Sequence, residues 1–227
     1  MSIENFTGKA ESYAKGRPGY PKEAIKKIFQ LVSSEAIFAD IGAGTGKFTI
    51  KIAERGYSVF AVEPNADMRN QLAITLEPFE KSHIIDGTAE TTTLPDNSVD
   101  IITIAHALHW FNIDEFKIEC TRILKPNGFI IVIYNHLSDK NTNDVYKQTV
   151  DKFLTNYTML EFANPITYTL ENWINYIASQ DNNPSHGEPE FDEHIAAIIS
   201  DFESNSSDGL LQCDRVTRMY IKSDFNN

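Results

Sequence analysis

Apolar runs and one-sided amphipathic stretches alternate along most of this chain. After Pro21, a residue suited to a first helical position, Ala24, Ile25, Ile28, Phe29 and Val32 recur at three- and four-residue spacing and predict a helix with one apolar face. A short run, Ile37-Phe38-Ala39-Asp40-Ile41, then predicts a buried strand that ends in a glycine cluster. Helix is expected over 46–55 with Gly56 ending it, strand over 57–62, and helix over 65–76 with Asn65 as its cap. The same alternation predicts strand 82–86, a polar loop through Pro95-Asp96-Asn97, strand 99–105, helix 113–124 and strand 128–134.

The two ends are less regular. The first twenty residues mix Gly8, Gly16, Pro18, Gly19 and Pro21 with Tyr13, Arg17 and Tyr20, and read as an irregular arm. Beyond Asn135 come a polar stretch at 138–144, an expected helix at 145–160, a loop at 180–189, a helix near 195–202, a turn at 206–209 and a final extended run at 210–221.

Strands alternating with helices imply an α/β, doubly wound, mainly parallel sheet covered on both faces. Such sheets bind ligands beyond the carboxyl ends of their strands, where the strand order reverses. With 227 residues the chain is expected to form a single domain over 1–227. Its parts are an arm or lid at 1–20, a cofactor-binding core at 21–135, a cap with helices at 136–205 and a final strand at 206–227.

Composition narrows the partners. A formal net charge of -12 with no Lys/Arg run argues against nucleic acid. No membrane partner is expected either, because no apolar segment approaches a spanning length; the N-terminus lacks a secretory pattern, so a cytoplasmic protein is expected. Cys120 and Cys213 lie far apart and outside any Cys-x-x-Cys spacing, so neither a disulfide framework nor a metal site is indicated. The sequence fixes no oligomeric state.

The glycine cluster Asp40-Ile41-Gly42-Ala43-Gly44-Thr45-Gly46 joins the first strand to its helix and lets the backbone turn tightly against a ligand. A phosphate-binding P-loop does not fit, since Ile41 stands where its first glycine belongs and Phe48 where its hydroxyl residue belongs. A dinucleotide fingerprint fails at one point, where Lys47 takes the place of the third glycine. One strand later, Glu63 is placed to accept hydrogen bonds from both vicinal hydroxyls of a ribose.

The segment from Phe38 to Gly46 resembles motif I of class I S-adenosylmethionine-dependent methyltransferases, an acidic residue followed by Gly-x-Gly-x-Gly. The resemblance implies a Rossmann-like, seven-stranded sheet with an antiparallel C-terminal edge strand and a small helical cap. It implies S-adenosyl-L-methionine as cofactor, with Asp40, Gly42, Gly44 and Gly46 beside its methionine and ribose portions. Asp86-Gly87-Thr88-Ala89-Glu90 is similar to the adenine-side segment, which assigns base contact to the backbone of Thr88, Ala89 and Glu90. Met68 is a candidate for the adenine face, the alternative being a core methionine. Leu94-Pro95-Asp96-Asn97-Ser98-Val99-Asp100 is similar to the loop shared by the methyltransferase type 11 group.

On the acceptor side, Ala105-His106-Ala107-Leu108-His109-Trp110-Phe111 follows the fourth strand and places Ala105 beside the cofactor. With the segment from Tyr13 to Pro21, it resembles the trans-aconitate methyltransferase-like subgroup, which implies a small-molecule acceptor, in known cases a carboxylate. Methyl transfer is an in-line displacement in which alignment matters more than a strong base. His106 or His109 is a candidate base for a hydroxyl acceptor, against the alternative that His109 and Trp110 only pack. Tyr13 is a candidate to close the pocket over the methyl group, and Arg17 to pair with the cofactor's methionine carboxylate or an acidic substrate. The expected function is methyl transfer to a small molecule, at a carboxylate or hydroxyl oxygen. A non-catalytic cofactor-binding relative and a nicotinamide-dependent oxidoreductase are the alternatives.

Overall fold

The structure is a computed structural model that describes residues 6–137, 144–180, 183–184, 190–223 and 225. Its elements run α1 (Ala10–Gly16), α2 (Lys22–Phe29), β1 (Ile37–Ile41), α3 (Thr49–Ala53), β2 (Ser58–Val62), α4 (Ala66–Leu76), β3 (Ser82–Ile85) and β4 (Val99–Ala105). A 3-10 turn (Leu108–Trp110) leads to α5 (Ile113–Ile123), β5 (Leu124–Leu137), α6 (Val145–Phe153), β6 (Thr158–Ala163), β7 (Ile166–Tyr168) and α7 (Leu170–Ala178). The chain ends with α8 (Phe191–Asn205), β8 (Leu211–Cys213) and β9 (Arg215–Ser223).

Seven strands form one sheet in the order β3-β2-β1-β4-β5-β9-β6, while β7 and β8 pair separately. The strands β1 to β5 are mutually parallel, and β9 runs antiparallel to both β5 and β6. The sheet is thus the expected Rossmann-like one, with the antiparallel C-terminal strand β9 lying between β5 and the edge strand β6. The order reverses between β1 and β4, which opens a crevice at their carboxyl ends.

Strand alternation divides the core in two. Ala39, Ile41, Ile102, Ile104, Ile130, Val132 and Tyr134 meet Phe116, Cys120 and Ile123 of α5 and Val150 and Phe153 of α6. Phe38, Val59, Ile101, Ile131 and Ile133 point to the other face, against Ile25 and Ile28 of α2 and Ile52 of α3. The three apolar residues of α5 recur at four- and three-residue spacing, so one stripe is buried, and each contributes about 1.5–3 kcal/mol by leaving water.

Several expectations need correction. The arm is not irregular throughout, because 10–16 winds into α1, with Glu11 and Lys15 paired one turn apart on its exposed side. The helix expected over 145–160 stops at Phe153: from Thr158 the chain pairs with β9 and supplies the sheet's outermost strand. Its alternating pattern of half-buried and exposed residues is that of an edge strand, and sheet pairing outweighs the helical spacing. The helix expected at 46–55 is only the five residues of α3, and the final run divides into β8 and β9 at Asp214. Of the loop expected at 180–189, residues 181–182 and 185–189 lie outside the described residues, as do 138–143 of the polar stretch. Among the described residues no helix is long and apolar enough to cross a membrane, and no three His, Cys, Asp or Glu side chains are grouped as metal ligands.

Candidate active site

The crevice between β1 and β4 holds a cavity of about 480 Å³. Its walls bring together ten of the residues singled out in the sequence: Tyr13, Gly42, Gly44, Glu63, Met68, Thr88, Ala89, Glu90, Ala105 and His106. Phe6, Pro64, Ala107, Trp110, Phe111 and Asn112 complete them. Arg17, Asp40, Gly46 and His109 stand behind the walls.

The glycine loop shows why. A Cβ on Gly44, whose φ is +57°, would point into open space with only Tyr13 Cε1 near, at 3.9 Å. Gly46 has φ +84° and serves packing instead, since a Cβ there would stand 2.7 Å from Leu72 Cδ1 on α4. Asp40 is buried under the loop, where Oδ2 accepts from Thr49 Oγ1 at 2.6 Å and Oδ1 from Thr103 Oγ1 at 2.8 Å. Burial raises its pKa to about 6, against the pull of the two hydroxyl donors.

Glu63 follows the last residue of β2 and is oriented by two backbone amides. Oε2 accepts from Gly44 N at 2.8 Å and Oε1 from Asn65 N at 2.9 Å. Burial raises its pKa and the two amides oppose that rise. Each oxygen keeps a lone pair for a further donor, so a buried carboxylate on the cavity wall is fixed in place yet still able to accept from a diol. Asn65 caps α4 by accepting from Met68 N at 3.0 Å, which seats the Met68 side chain on the wall. Glu90 accepts from Asn112 N at 2.8 Å and ties the adenine-side segment to the start of α5.

The arm lies across the opening. Phe6 meets Trp110 edge-on at 5.2 Å and Tyr13 at 6.0 Å. Gly8 N donates to Asp67 Oδ2 at 2.8 Å, and Lys9 Nζ to the carbonyls of Gln180 and Asn183, each at 2.8 Å. Arg17 is not among the lining residues; it donates from Nε to Ser179 Oγ at 2.9 Å and from Nη2 to Ser179 O at 3.1 Å. Lys47 donates to the Arg17 carbonyl, so the residue that spoils the dinucleotide fingerprint fastens the arm. Burial beside Arg17 lowers the Lys47 pKa to about 8.

At the end of β4, His106 adopts a left-handed backbone with φ 58°, an uncommon conformation for a side chain other than glycine or asparagine. The residue lines the cavity, and its buried Nδ1 has no hydrogen-bond partner. Burial holds the pKa well below the usual imidazole value, and the nearby His109, Arg17, His136 and Arg215 push it the same way. His109 sits in an aromatic cluster, its Nδ1 3.4 Å from the Tyr134 hydroxyl and its ring 5.0 Å from that of Tyr146. Tyr146 in turn stacks on Tyr134 at 4.4 Å. The sequence reading missed Phe6, Tyr146 and Arg215; the first lies ahead of any periodic segment, and the other two belong to the irregular half.

A methyltransferase domain profile matches residues 39–132, which span the glycine loop, Glu63, the adenine-side segment and His106. An uncharacterized methyltransferase of Mycobacterium tuberculosis is 31% identical over 185 residues, covering 79% of this chain and 74% of that protein. The chain belongs to the class I S-adenosylmethionine-dependent methyltransferases. A putative methyltransferase of Dictyostelium discoideum is 34% identical over 62% of this chain and 53% of its own length. Among solved structures, a putative type II methyltransferase from Anaeromyxobacter dehalogenans matches the fold with a TM-score of 0.66 at 17% identity, covering 91% of this chain and 97% of that one. A Haemonchus contortus phosphoethanolamine N-methyltransferase, solved with phosphomonomethylethanolamine and S-adenosylhomocysteine, matches with a TM-score of 0.55 at 13% identity, covering 99% of this chain and 60% of that one. Both share the overall fold of this methyltransferase.

Proposed function

We propose that the cavity holds S-adenosylmethionine and that this enzyme methylates a small molecule, at a carboxylate or hydroxyl oxygen, as in the trans-aconitate methyltransferase-like subgroup. One observation carries the reading: a buried carboxylate, Glu63, is held by the Gly44 and Asn65 amides on the wall of a cavity of about 480 Å³, within the 300–1,000 Å³ usual for small-ligand sites. When bound, the cofactor supplies a methyl group activated by a cationic sulfonium.

The chain's residues take the remaining tasks. Glu63 accepts from the ribose hydroxyls, Met68 lies on the adenine face, and the backbone of Thr88, Ala89 and Glu90 meets the base edge. Gly42 and Gly44 admit the cofactor closely. Asp40 and Gly46 act from beneath, holding the loop in shape through Thr49, Thr103 and α4. Ala105 borders the methyl position. Phe6, Tyr13 and Trp110 exclude water, and burial raises the Tyr13 pKa, so its hydroxyl serves as a donor. For a hydroxyl acceptor, His106 takes the proton, its depressed pKa keeping the ring neutral; a carboxylate acceptor needs no base. Arg17 and His109 act indirectly, Arg17 by fixing the arm and His109 by positioning Tyr134 and Tyr146.

Calorimetric titration of the purified protein with S-adenosylhomocysteine, with NADH as comparator, tests the cofactor assignment. Saturable heat for the nucleoside alone is expected; its absence overturns the reading. A screen of small acids and phenols with methyl-labelled cofactor then identifies the acceptor.

A further inference from the structure

A second group of polar side chains lies at the same ligand edge, on the far side of Tyr13. Arg215 opens β9 and pairs in register with Leu137 at the carboxyl end of β5. Only 7% of it is exposed. Among the described residues its guanidinium makes no ion pair; Nε is fully buried without a hydrogen-bond partner, and the Tyr168 and Tyr176 hydroxyls are the polar groups beside it. The carbon of that guanidinium sits 4.8 Å from the centre of the Tyr176 ring. Arg17 approaches the same ring at 5.7 Å and the Tyr13 ring, on the cavity wall, at 4.9 Å.

Two further buried donors make no hydrogen bond of ordinary geometry, the Tyr168 hydroxyl, which lies beside Arg215, and Trp173 Nε1. The rings of Tyr168, Trp173 and Tyr176 lie 5.2–5.4 Å apart, so the orphaned donors belong to one cluster built on β7, α7 and β9. All three are N–H or O–H donors, and one carries a positive charge. A buried arginine without a counter-charge is costly and is ordinarily paired. A site that presents only donors around a cation is complementary to an oxyanion.

Resting on the methyl-transfer reading above, we propose that Arg215, with Tyr168 and Trp173, forms an anion-binding subsite that recognises an oxyanion group, carboxylate or phosphate, on the methyl acceptor. Arg17 supplies a second positive charge across Tyr176. The subsite lies beyond Tyr13 from the cofactor cavity, so it selects the acceptor and takes no part in holding the nucleoside. Burial pushes the Tyr168 hydroxyl up to about 12, which keeps it a donor at neutral pH. The electrostatic effect of Arg17 and Arg215 on His106 agrees with both cations lying near the acceptor side.

The test uses the full chain with S-adenosylhomocysteine present in excess. Succinate, phenyl phosphate and uncharged succinamide are titrated by calorimetry. Saturable binding of succinate, phenyl phosphate or both is expected, with none for the diamide; the anion that binds separates an organic acid from a phosphate ester. Arg215→Met is expected to weaken that binding about 10- to 100-fold. It should leave the affinity for S-adenosylhomocysteine unchanged and should not lower Tm, because methionine fills the space without an unpaired charge. A merely structural arginine gives the opposite pattern: a lowered Tm with anion affinity retained. If Arg215→Met does not fold, Tyr168→Phe and Trp173→Phe decide instead, and unchanged anion affinity in both overturns the proposal. Binding of the nucleoside without binding of either anion overturns the subsite alone, whereas anion binding without the nucleoside overturns the cofactor reading alone.

Discussion

On the side of the cavity built from β1, β2 and the start of α5, the chain has already satisfied its acids. Glu63 accepts from two amides, Asp40 from two hydroxyls and Glu90 from the Asn112 amide. On the side built from the ends of β4, β5 and β9 with α7, His106 Nδ1, His136 Nε2, the Tyr168 hydroxyl, Trp173 Nε1 and Arg215 Nε are buried without partners. Each such group costs about 1–3 kcal/mol while it stays unpaired. The difference separates two tasks. On the proposed function, a ligand common to the whole family meets a rigid, pre-organised cradle, whereas the acceptor side keeps hydrogen-bonding capacity for a ligand to complete.

The sharpest way to break this contrast is Glu63→Ala. It removes the acceptor for the ribose and strands the Gly44 and Asn65 amides that now donate to it. Affinity for S-adenosylhomocysteine is expected to fall about 100-fold by calorimetry. Retained affinity would mean that the cradle works without its carboxylate and that the two sides are not distinguished in this way.

Asp40 gives the next largest effect, in stability rather than binding. Its folded pKa of about 6 lies above the ordinary 3.8, so the folded protein holds this proton more tightly than the unfolded chain. Stability from this group is therefore greatest below about pH 4, falls as pH rises toward 6, and stays reduced above it. Asp40→Asn, with no charge to bury, should be more stable than the wild type at pH 7.5, by about 3 kcal/mol and with a higher Tm, and show little gain at pH 4. An equal difference at both pH values would show that the carboxylate is not the strained group.

His106→Asn tests the acceptor side without disturbing the backbone, because asparagine tolerates the left-handed conformation His106 adopts. For a hydroxyl acceptor, turnover should drop about tenfold with the cofactor affinity unchanged. The sign of the pKa shift fixes the pH profile. A lowered value leaves the ring neutral above pH 6.5, so wild-type turnover should be flat from there upward and decline only well below it. A fall beginning near pH 7 would assign the proton to another group.

The half proposed to hold the cofactor is the more legible in the sequence, because its signals are local. A glycine spacing, an acid at a strand end and alternating apolar runs all lie within a few residues of one another, and strands 37–41 and 99–105 emerge as expected. The acceptor half depends on contacts between distant segments. Arg215 meets Tyr176 and Tyr168 only after β9 inserts between β5 and β6, and α1 meets α7 only in the folded chain, with Gly16 against the Tyr176 backbone and Arg17 bonded to Ser179. The mistaken helix at 145–160 has the same origin, since β6 exists through its pairing with β9. Arg17 stands out in the sequence by its motif, whereas its partners Ser179 and Tyr176, more than 150 residues away, come to it only in the fold.

His109→Phe carries the smallest expected effect and distinguishes the two histidines. Its Nδ1 contact with the Tyr134 hydroxyl is long, at 3.4 Å, and its ring packs against Trp110, Tyr134 and Tyr146. Phenylalanine preserves the ring stacking while removing both nitrogens, so stability should change by less than about 1 kcal/mol and turnover by no more than about threefold. Tyr134 is held by its stack on Tyr146 at 4.4 Å, which survives the substitution. If His109→Phe instead lowers turnover more than His106→Asn does, the proton moves through the aromatic cluster, and the ring behind the cavity wall, rather than the one in it, is the working base.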